Sequence, residues 1–368
     1  MSKPPLEGVR IVSLAEQYPG PYATLLLADL GADVILVERP GAGDPARQFP
    51  AFFAALNRNK RSVALDLKTA QGRAALAALV READVFLDGF RPGKLAAIGA
   101  GYEQLSALNP ALIYVSITGY GLSGPYRDRT GHDLSYQGLA GLLADQADAG
   151  AAGPVPSLPI ADVLSALFAS IAVLAALAGR RASGRGTHVD VSMSDALVSV
   201  MTIFLAPLMN GAPIGELIRE PAYASFACAD GALLTLSIAH EDWFWAPLCD
   251  AIGLPGHAAL TREERVARRV ELRDAVAARI ATGTRAHWAA LFDAKGIPWG
   301  PVNRLEDVVE DPHFRARGLF QTVARADGST EHHVVQPLKF LDLTTRLLRP
   351  APGLGEHTDE VLRGLGLR

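Results

Sequence analysis

Two carboxylates and one histidine occupy positions where side chains could act on a substrate. Asp162 stands just before a long apolar run, so it either caps the helix predicted there or lies at the mouth of a buried site. Gly131-His132-Asp133 opens another helical segment, which Asp133 can cap in the same way. Hydrophobic periodicity gives His132 no structural role, although a single histidine is most often an ordinary loop residue. A carboxylate and an imidazole together suit proton transfer, and a carboxylate alone can act as a nucleophile.

Basic side chains of the first half of the chain fall in loops beside predicted strand ends. Arg39 lies in ERPGAGD, Arg58 and Lys60 lie in NRNKRS, and Arg91 lies in FRPG. Open α/β sheets bind ligands at strand ends, and arginine and lysine are suited to phosphate groups. Each residue taken alone is more often an ordinary surface residue. Together they indicate an anionic, nucleotide-like ligand.

A glycine loop follows the strand predicted at Leu112–Thr118. Its sequence, Gly119-Tyr-Gly-Leu-Ser-Gly124, matches the GxGxxG pattern of dinucleotide-binding proteins. The residues after it lack an apolar helical period, and the loop follows a later strand rather than the first, so we do not expect hydride-transfer chemistry. P-loop, nucleophile-elbow and zincin motifs do not occur in the sequence. Adjacent His332 and His333 would point to opposite faces of a strand, so no metal site is expected.

Strand-like and helix-like segments alternate through the first 130 residues, which predicts a parallel sheet covered by helices. The strands expected in this region are Val9–Leu14, Asp33–Glu38, Ser62–Leu67, Asp84–Leu87 and Leu112–Thr118. The helices expected are Tyr22–Leu30 and Thr69–Arg81, and a later strand at His188–Val191 precedes a helix over about Ser194–Met209. Residues 241–316 are mostly helical and charged, which indicates a smaller second domain.

Composition excludes several classes of protein. The 368 residues are 49% hydrophobic and 20% charged, which is typical of a globular chain, and the net charge of −4 argues against nucleic-acid binding. The two cysteines, Cys228 and Cys249, form no disulfide framework, and the N-terminal sequence has no apolar signal region, so a cytoplasmic location is expected. The uncharged run Val163–Gly179 is short for a membrane span, and we expect a buried helix and no membrane association.

In combination, these segments resemble the class III CoA-transferase family, which includes the α-methylacyl-CoA racemases. The resemblance covers residues 6 to about 320. The matching segments are LEGVRIVSLAEQYPGPYATLLLADLGADVILVERPGAGD, NRNKRSVALDLKTAQG, DVFLDGFRPG, LIYVSITGYGLSGPY, GHDLSYQGLAGL, IADVLSALFASIAVLAALAGRRASGRGTHVDVSMSDAL and DPHFRARGLF. The resemblance implies an α/β fold with a Rossmann-like large domain, residues 1–195 and 325–368. A linker and a smaller central α+β domain would occupy 196–324, in an interlocked homodimer.

The resemblance also assigns the ligand site. It implies an acyl-CoA substrate and no cofactor beyond the coenzyme A of that substrate. The glycine loop, with Gly119, Tyr120 and Gly121, would belong to the acyl-CoA site. The basic residues Arg39, Arg58, Lys60 and Arg91 would bind the phosphates of CoA.

The family's key aspartate corresponds to Asp162. In the transferases this carboxylate attacks the acyl-CoA thioester to give a mixed anhydride, and later carries CoA as an enzyme thioester. In the racemases it is one of two groups that remove and return the proton α to the thioester, and the other is the histidine that corresponds to His132. Asp133 and Glu241 correspond to positions that support these two groups in the racemases.

A 2-methylacyl-CoA racemase is the reading we expect from the residues, because His132 stands where the transferases do not usually have histidine. Backbone N–H groups near Asp162 or at the start of its helix would then stabilise the enolate oxygen. The alternative is a CoA-transferase, favoured by Gln137 and by the absence of a glycine-rich run directly after Asp162. A third reading is a non-catalytic acyl-CoA-binding scaffold.

Overall fold

The chain divides into two compact units in a computed structural model. The structure describes residues 3–143, 156–212, 220–325, 327–343, 345 and 349–367. The first unit joins Met1–Thr202 to Gly318–Arg368, and the second is Ile203–Arg317. The sequence placed these divisions at 195/196 and 324/325, and the units divide at 202/203 and 317/318.

The first unit is built on a six-stranded parallel sheet. Its strands are β1 (Arg10–Ser13), β2 (Asp33–Glu38), β3 (Arg61–Ala64), β4 (Val85–Asp88), β5 (Ile113–Thr118) and β6 (Thr187–Ser192). They lie in the order β3-β2-β1-β4-β5-β6, and every neighbouring pair is parallel. This is the doubly wound strand order. Successive strands are added on one side of β1 up to β3, and from β4 onward they are added on the other side. Ligands of such sheets bind in the crevice outside the carboxyl ends of the strands at this switch point, between β1 and β4. The predicted α/β class with a parallel sheet is confirmed.

Alternate residues of each strand bury opposite faces of this sheet. Ile11, Val34 and Leu36 pack in one hydrophobic cluster, whereas Val12 and Ile35 pack in another. The helices of this unit before residue 202 are α1 (Pro19–Asp29), α2 (Pro50–Asn57), α3 (Ala70–Arg81), α4 (Tyr102–Leu108), α5 (Asp133–Leu139), α6 (Ile160–Ser183) and α7 (Met193–Val200). Short 3₁₀ turns lie at Pro45–Gln48 and Ala96–Ile98. Residues of α1 and α6 contribute to the first cluster, and residues of α3 and α4 contribute to the second.

The long helix α6 has one buried face and one exposed face. By length and composition it could cross a membrane, with a mean hydropathy of 2.3 in its most apolar window, but 33% of that window is buried. Ala166, Ala169 and Val173 lie fully buried in the sheet core, which fits a core helix. On the opposite face, Leu167 and Ile171 remain exposed, so the expected buried helix is buried on one side only.

Chain from the C-terminal end of the first unit covers the outer edge of the sheet. β3 is the edge strand, and the N–H of His357 donates to the carbonyl of Ser62 at 2.9 Å. The N–H of Ala64 donates to the hydroxyl of Thr358 at 3.0 Å, at the start of helix α15 (Thr358–Gly364). Segments more than 290 residues apart in sequence therefore complete one sheet edge.

The second unit contains a three-stranded antiparallel sheet with helices. Its strands are β7 (Tyr223–Ala227), β8 (Leu233–Ser237) and β9 (Trp299–Pro301), paired in that order. Helix α8 (Thr202–Met209) begins at the unit boundary, and the others are α9 (Asp242–Ala251), α10 (Arg262–Ala267), α11 (Arg269–Ile280), α12 (Arg285–Lys295), α13 (Leu305–Glu310) and α14 (Pro312–Ala316), with a 3₁₀ turn at Pro255–His257. In the first unit, β10 (Phe320–Ala324) and β11 (Thr330–Val334) form an antiparallel hairpin.

Three local expectations differ from the structure. The single helix expected over Ser194–Met209 is two helices, α7 and α8, which are separated at Met201. The strand expected at Ser62–Leu67 begins and ends earlier, at Arg61 and Ala64. Helix α1 begins three residues before the expected start, because Pro19 and Pro21 suit the first turn of a helix, where a backbone N–H is not needed.

Candidate active site

A cavity of about 570 Å³ opens at the carboxyl ends of β1, β4, β5 and β6. This is the position that the strand order assigns to a ligand. Its lining consists of Glu16, Gln17, Pro19, Gly89, Phe90, Arg91, Pro92, Ile117, Thr118, Gly119, Tyr120, Arg127, Arg129, Thr130, Gly131, His132, Ser135, Tyr136, Asp162 and Met193. The cavity therefore brings together Asp162, His132, Arg91, Gly119 and Tyr120, which the sequence singled out separately.

Asp162 lies in the first turn of α6, inside the helix rather than at its cap. Pro159 occupies the capping position and makes no side-chain capping bond. The Asp162 side chain is partly buried in the cavity wall, and burial, together with the negative charge of Asp133, raises its pKa to about 7. Of the two roles considered for Asp162, the structure supports the group at the mouth of a buried site.

Asp133 binds the start of α6 instead of capping its own helix. Its Oδ1 atom accepts the backbone N–H of Ala161 at 2.7 Å and that of Asp162 at 3.3 Å. Its Oδ2 atom accepts a hydrogen bond from the side-chain amide of Gln137, which is fully buried. The expectation that Asp133 caps the helix that it opens is wrong, because it is the first residue of α5 and His132 occupies the cap position. A carboxylate at this place satisfies free N–H groups of α6 and interacts favourably with its dipole.

This arrangement limits which backbone N–H groups can stabilise an oxyanion. The N–H groups of Ala161 and Asp162 already donate to Asp133, and the N–H of Val163 donates to the carbonyl of Pro159 at 3.0 Å. These amides at the start of α6 are therefore occupied. The expectation that they stabilise an enolate oxygen is corrected in this structure for these three groups.

His132 is exposed and lines the cavity together with Asp162. Its backbone is extended, with φ −130° and ψ 175°, and its side chain makes no capping hydrogen bond. The preceding Gly131 permits a close approach, because a Cβ atom there would lie 2.7 Å from the hydroxyl of Tyr120. The hydroxyl of Tyr136 donates to the carbonyl of Gly131 at 2.8 Å, which fixes the chain just before His132.

The glycine loop shapes one wall of the cavity. A Cβ atom on Gly119 would lie 2.5 Å from the hydroxyl of Tyr136, so only glycine allows this packing. Gly121 has a φ of +86° and does not line the cavity, and its N–H donates to the hydroxyl of Thr118 at 3.0 Å. The N–H of Leu122 likewise donates to a carboxylate of the protein. The loop turns the chain and makes room for Tyr136, and the predicted direct contact of Gly121 with CoA finds no support in this geometry.

Arg39 and Arg91 are exposed cations beyond the carboxyl ends of β2 and β4. Arg39 is 61% exposed and its guanidinium lies 3.5 Å from the carboxylate of Glu16. Burial raises the pKa of Glu16, against the opposing effect of Arg39. Arg91 lines the cavity, and the loop that carries it is held by Asp88, which accepts the N–H of Phe90 at 2.8 Å.

Arg58 and Lys60 are buried, which corrects their prediction as phosphate ligands. Arg58 is 2% exposed and forms a salt bridge of 2.6 Å with Asp29. Lys60 is fully buried and donates to the carbonyl of Pro21 at 2.7 Å and to the side-chain oxygen of Asn57 at 2.9 Å. Burial lowers the pKa of Lys60 well below its usual range. Both side chains are bonded to groups inside the first unit, so neither presents a cation to a ligand in this structure.

A second, mostly apolar cavity of about 290 Å³ adjoins the same sheet edge. Its lining comprises Leu14, Glu16, Val37, Glu38, Arg39, Leu65, Asp66, Leu67, Lys68, Phe90, Lys94, Leu95 and Ile98. Glu16 and Phe90 line both cavities, so the two adjoin each other. An apolar cavity with Arg39, Lys68 and Lys94 in its lining suits a flat ring that carries anionic groups.

Glu241 belongs to the second unit, where its hydrogen bonds are local. It precedes α9 and accepts the backbone N–H of Ala239 at 2.9 Å and of His240 at 3.0 Å. The hydrogen bond from Ala239 is the largest cause that lowers its pKa. Its role in support of the catalytic groups stays a prediction.

The described residues also bear on whether a metal site is present. In the described part of the chain, no three His, Cys, Asp or Glu side chains lie close enough together to bind a metal ion.

Gln17, Arg127 and Arg129 line the cavity, but sequence reasoning did not select them. The run Tyr-Arg-Asp-Arg after the glycine loop was the available signal for the two arginines. Gln17 offered none, because its left-handed backbone (φ +65°) arises where its N–H donates to the distant carboxylate of Asp44.

Comparisons with known proteins agree with this geometry. The family model described as CoA-transferase family III matches residues 6–358. The chain is 34% identical to succinate–glutarate CoA-transferase of Agrobacterium fabrum, over 99% of this chain and 96% of that protein. It is 33% identical to succinyl-CoA:glutarate CoA-transferase of mouse, over 98% of this chain and 86% of that protein. Among solved structures, a CaiB/BaiF family protein from Brucella suis superposes with a TM-score of 0.87 at 32% identity, covering 99% of this chain and 100% of that one. This chain belongs to CoA-transferase family III.

Proposed function

We propose that the protein moves coenzyme A between an acyl-CoA and a free carboxylic acid, with Asp162 as the nucleophile. The observation that carries the proposal is the partly buried Asp162 carboxylate, with a pKa raised to about 7, in a cavity at the ligand-binding edge of the sheet. The names of the related transferases favour this reading over the racemase reading that the residues first suggested. Gln137, the residue that favoured a transferase in the sequence, also supports this proposal, because its buried side chain donates a hydrogen bond to Asp133, which binds the start of α6 beside Asp162.

Each step of the proposed reaction exchanges one acyl bond for another. An Asp162 oxygen attacks the thioester carbonyl carbon, the C–S bond breaks, and CoA leaves as a thiolate while a mixed anhydride forms. The thiolate then attacks the Asp162 carbonyl carbon, which releases the donor acid and leaves CoA bound to Asp162 as a thioester. The acceptor carboxylate attacks the carbonyl carbon of that thioester, the C–S bond breaks, and a second mixed anhydride forms between the acceptor and Asp162. The released thiolate then attacks the acceptor's carbonyl carbon in this anhydride, which gives the new acyl-CoA and frees the Asp162 carboxylate. No proton is gained or lost over the cycle.

Burial favours Asp162 in this role for a physical reason. A carboxylate removed from water is less stabilised by hydration and is therefore a stronger nucleophile. The neighbouring charge of Asp133 also disfavours the anion. Because this scheme uses only a carboxylate and the thiol of CoA, we propose no cofactor beyond the substrate.

The second cavity accommodates the nucleotide end of CoA in this proposal. Its apolar lining would receive the adenine ring, and Arg39, Lys68 and Lys94 would meet the phosphates. Arg91 lines the adjoining cavity together with Asp162. In this proposal it would meet the part of CoA that lies between the nucleotide end and the thioester. CoA would thus extend along the carboxyl edge of the sheet.

The exposed side of α6 supports a homodimer. Leu167, Ile171 and Leu174 form an apolar stripe at spacings of four and three residues, and each is at least 39% exposed. Val198 and Val200 of α7 are also exposed. A second copy of the chain is the proposed occupant of this surface, in line with the interlocked dimer that the family resemblance implies.

One experiment separates the two enzymatic readings. The protein is incubated in deuterated water with a 2-methylacyl-CoA, and separately with succinyl-CoA and free glutarate, the pair of acids named in its relatives. Formation of glutaryl-CoA without α-deuterium supports the transferase. Deuterium incorporation without CoA transfer would instead establish the racemase, and neither activity would favour a binding scaffold.

A further inference from the structure

Apart from Arg91, which follows β4 and lines the cavity with Asp162, the cations near the two cavities fall into two groups along the carboxyl ends of the strands. Arg39, Lys68 and Lys94 follow β2, β3 and β4 and line the apolar cavity. Arg127 and Arg129 follow β5 and line the cavity that contains Asp162. Because β5 lies on the opposite side of β1 and β4 from β2 and β3, Arg127 and Arg129 follow a strand on the far side of the β1–β4 crevice from the strands that precede Arg39 and Lys68.

Aromatic contacts hold Arg129 in the cavity wall. Its guanidinium carbon lies 5.1 Å from the ring centroid of Tyr126 and 6.0 Å from that of Tyr120. The ring of Tyr120 packs edge-on against Tyr136 at 5.1 Å, and Asp162 is one of the charges that raise the pKa of Tyr136. A continuous set of ring contacts thus joins Arg129 to the neighbourhood of Asp162.

The charges of these two arginines are not neutralised inside the protein. Among the carboxylates of the described residues, Arg127 forms a salt bridge with the adjacent Asp128 alone, at 3.3 Å, and both side chains are exposed. No aspartate or glutamate within the residues that the structure describes forms a salt bridge with Arg129. Two cations in the lining of a cavity are therefore available to an anionic group of the substrate.

The position of these cations identifies the kind of anion. When CoA occupies the nucleotide cavity and its thioester lies at Asp162, the group that extends beyond the thioester is the acyl chain. Arginine binds carboxylates through two parallel hydrogen bonds. We infer that Arg127 and Arg129 bind the second carboxylate of a dicarboxylic acyl group and so select dicarboxylic over monocarboxylic substrates. This inference rests on the proposed function and adds its specificity residues.

The test compares two acceptor acids of the same length, glutarate and pentanoate. Both are assayed with butyryl-CoA, a donor without a second carboxylate, for the wild type and for Arg127→Gln and Arg129→Gln. The exposed Arg185→Gln, in the turn between α6 and β6, is the control. We expect each cavity variant to lower the ratio of kcat/KM for glutarate to that for pentanoate by about tenfold or more, since a charge-assisted contact is lost. The KM for butyryl-CoA and the rate with pentanoate should change by less than about twofold to threefold.

Three results would overturn the inference, each in a recognisable way. A wild type without preference for glutarate, or an unchanged ratio in both variants, would show that these arginines do not select the acid. A rise in the KM for butyryl-CoA that accompanies equal losses with both acids would assign them to the phosphates of CoA. If the wild type transfers CoA to neither acid from butyryl-CoA, and also fails to transfer it from succinyl-CoA to glutarate, the proposed function itself fails.

Discussion

Oδ1 of Asp133 accepts the backbone N–H of Asp162 at 3.3 Å, so one carboxylate holds the backbone of another. The same contact places a negative charge beside the Asp162 side chain and contributes to its raised pKa. Asp133 therefore has two effects: it stabilises the start of α6, and it makes the anion of Asp162 less stable.

Replacing Asp162 tests the nucleophile. We expect Asp162→Asn to lower CoA transfer by about three orders of magnitude or more, because the amide cannot form the anhydride. The fold should persist, since the substitution keeps the size of the side chain and its backbone N–H. Asp195→Asn, which changes an exposed aspartate in the first turn of α7, is the matched control and should retain activity. Near-normal turnover of Asp162→Asn would reject the mechanism.

The pH profile tests the environment of Asp162. Burial and Asp133 raise its pKa, so the reactive anion is lost as the pH falls through about 7. We expect kcat/KM to fall about tenfold per pH unit below that value and to level off above it. In Asp133→Asn the inflection should move to lower pH, because one cause of the raised pKa is gone while burial remains. Gln137 can rotate its amide to suit the new asparagine, because its buried Oε1 atom has no partner among the described groups. An inflection near 4 in the wild type would contradict this account.

His132 distinguishes the transferase from the racemase. Anhydride chemistry proceeds through Asp162, so we expect His132→Ala to reduce CoA transfer by less than about tenfold. A racemase would lose its second proton carrier and with it the inversion of configuration. The measurement is the rate of glutaryl-CoA formation beside the rate of epimerisation of a chiral 2-methylacyl-CoA. Selective loss of epimerisation in an enzyme that epimerises would restore the racemase reading.

Arg91 and Arg58 should respond differently to substitution, although both belong to predicted phosphate-binding loops. Arg91→Glu reverses an exposed charge in the cavity and should weaken CoA binding by about tenfold or more, less strongly in high salt. Arg58→Met leaves the buried Asp29 without its cationic partner, and should lower the free energy of unfolding by about 3 kcal/mol. Titration calorimetry gives the dissociation constants of CoA, and chemical denaturation gives the stability. Weaker CoA binding by correctly folded Arg58→Met would reverse the assignment of Arg58.

The exposed apolar stripe of α6 predicts a dimer in solution. Light scattering of the purified protein should give twice the chain mass, and dilution should not release a folded monomer if the two chains are interlocked. Ile171→Glu places a charge at the most exposed position of the stripe and should lower the yield of folded dimer. Glu substitution at the exposed Val270 of the second unit is the matched control. An active monomer would contradict the proposed assembly.

Local patterns predicted the sheet because each strand carries its own signal. Apolar runs such as Asp33–Glu38 mark buried parallel strands, and the structure gives that strand the same bounds. The charged loops were harder to read, because sequence shows where charges are but not what they contact. Lys60 is buried against Pro21, and Asp133 accepts a backbone N–H from a helix 28 residues away. Neither contact can be inferred from the neighbouring residues in the sequence.

The covered edge of β3 has a consequence for synthesis of the chain. Ser62 and Ala64 leave the ribosome long before His357 and Thr358, which later bond to them. Until then the nascent sheet carries an open edge, which can pair with strands of other chains. Completion of this sheet edge is therefore postponed until residues 357 and 358 have been synthesised. A ribosome stalled before residue 355 would hold an aggregation-prone intermediate, in which the site around Asp162 is encoded in full while the sheet that supports it is unfinished.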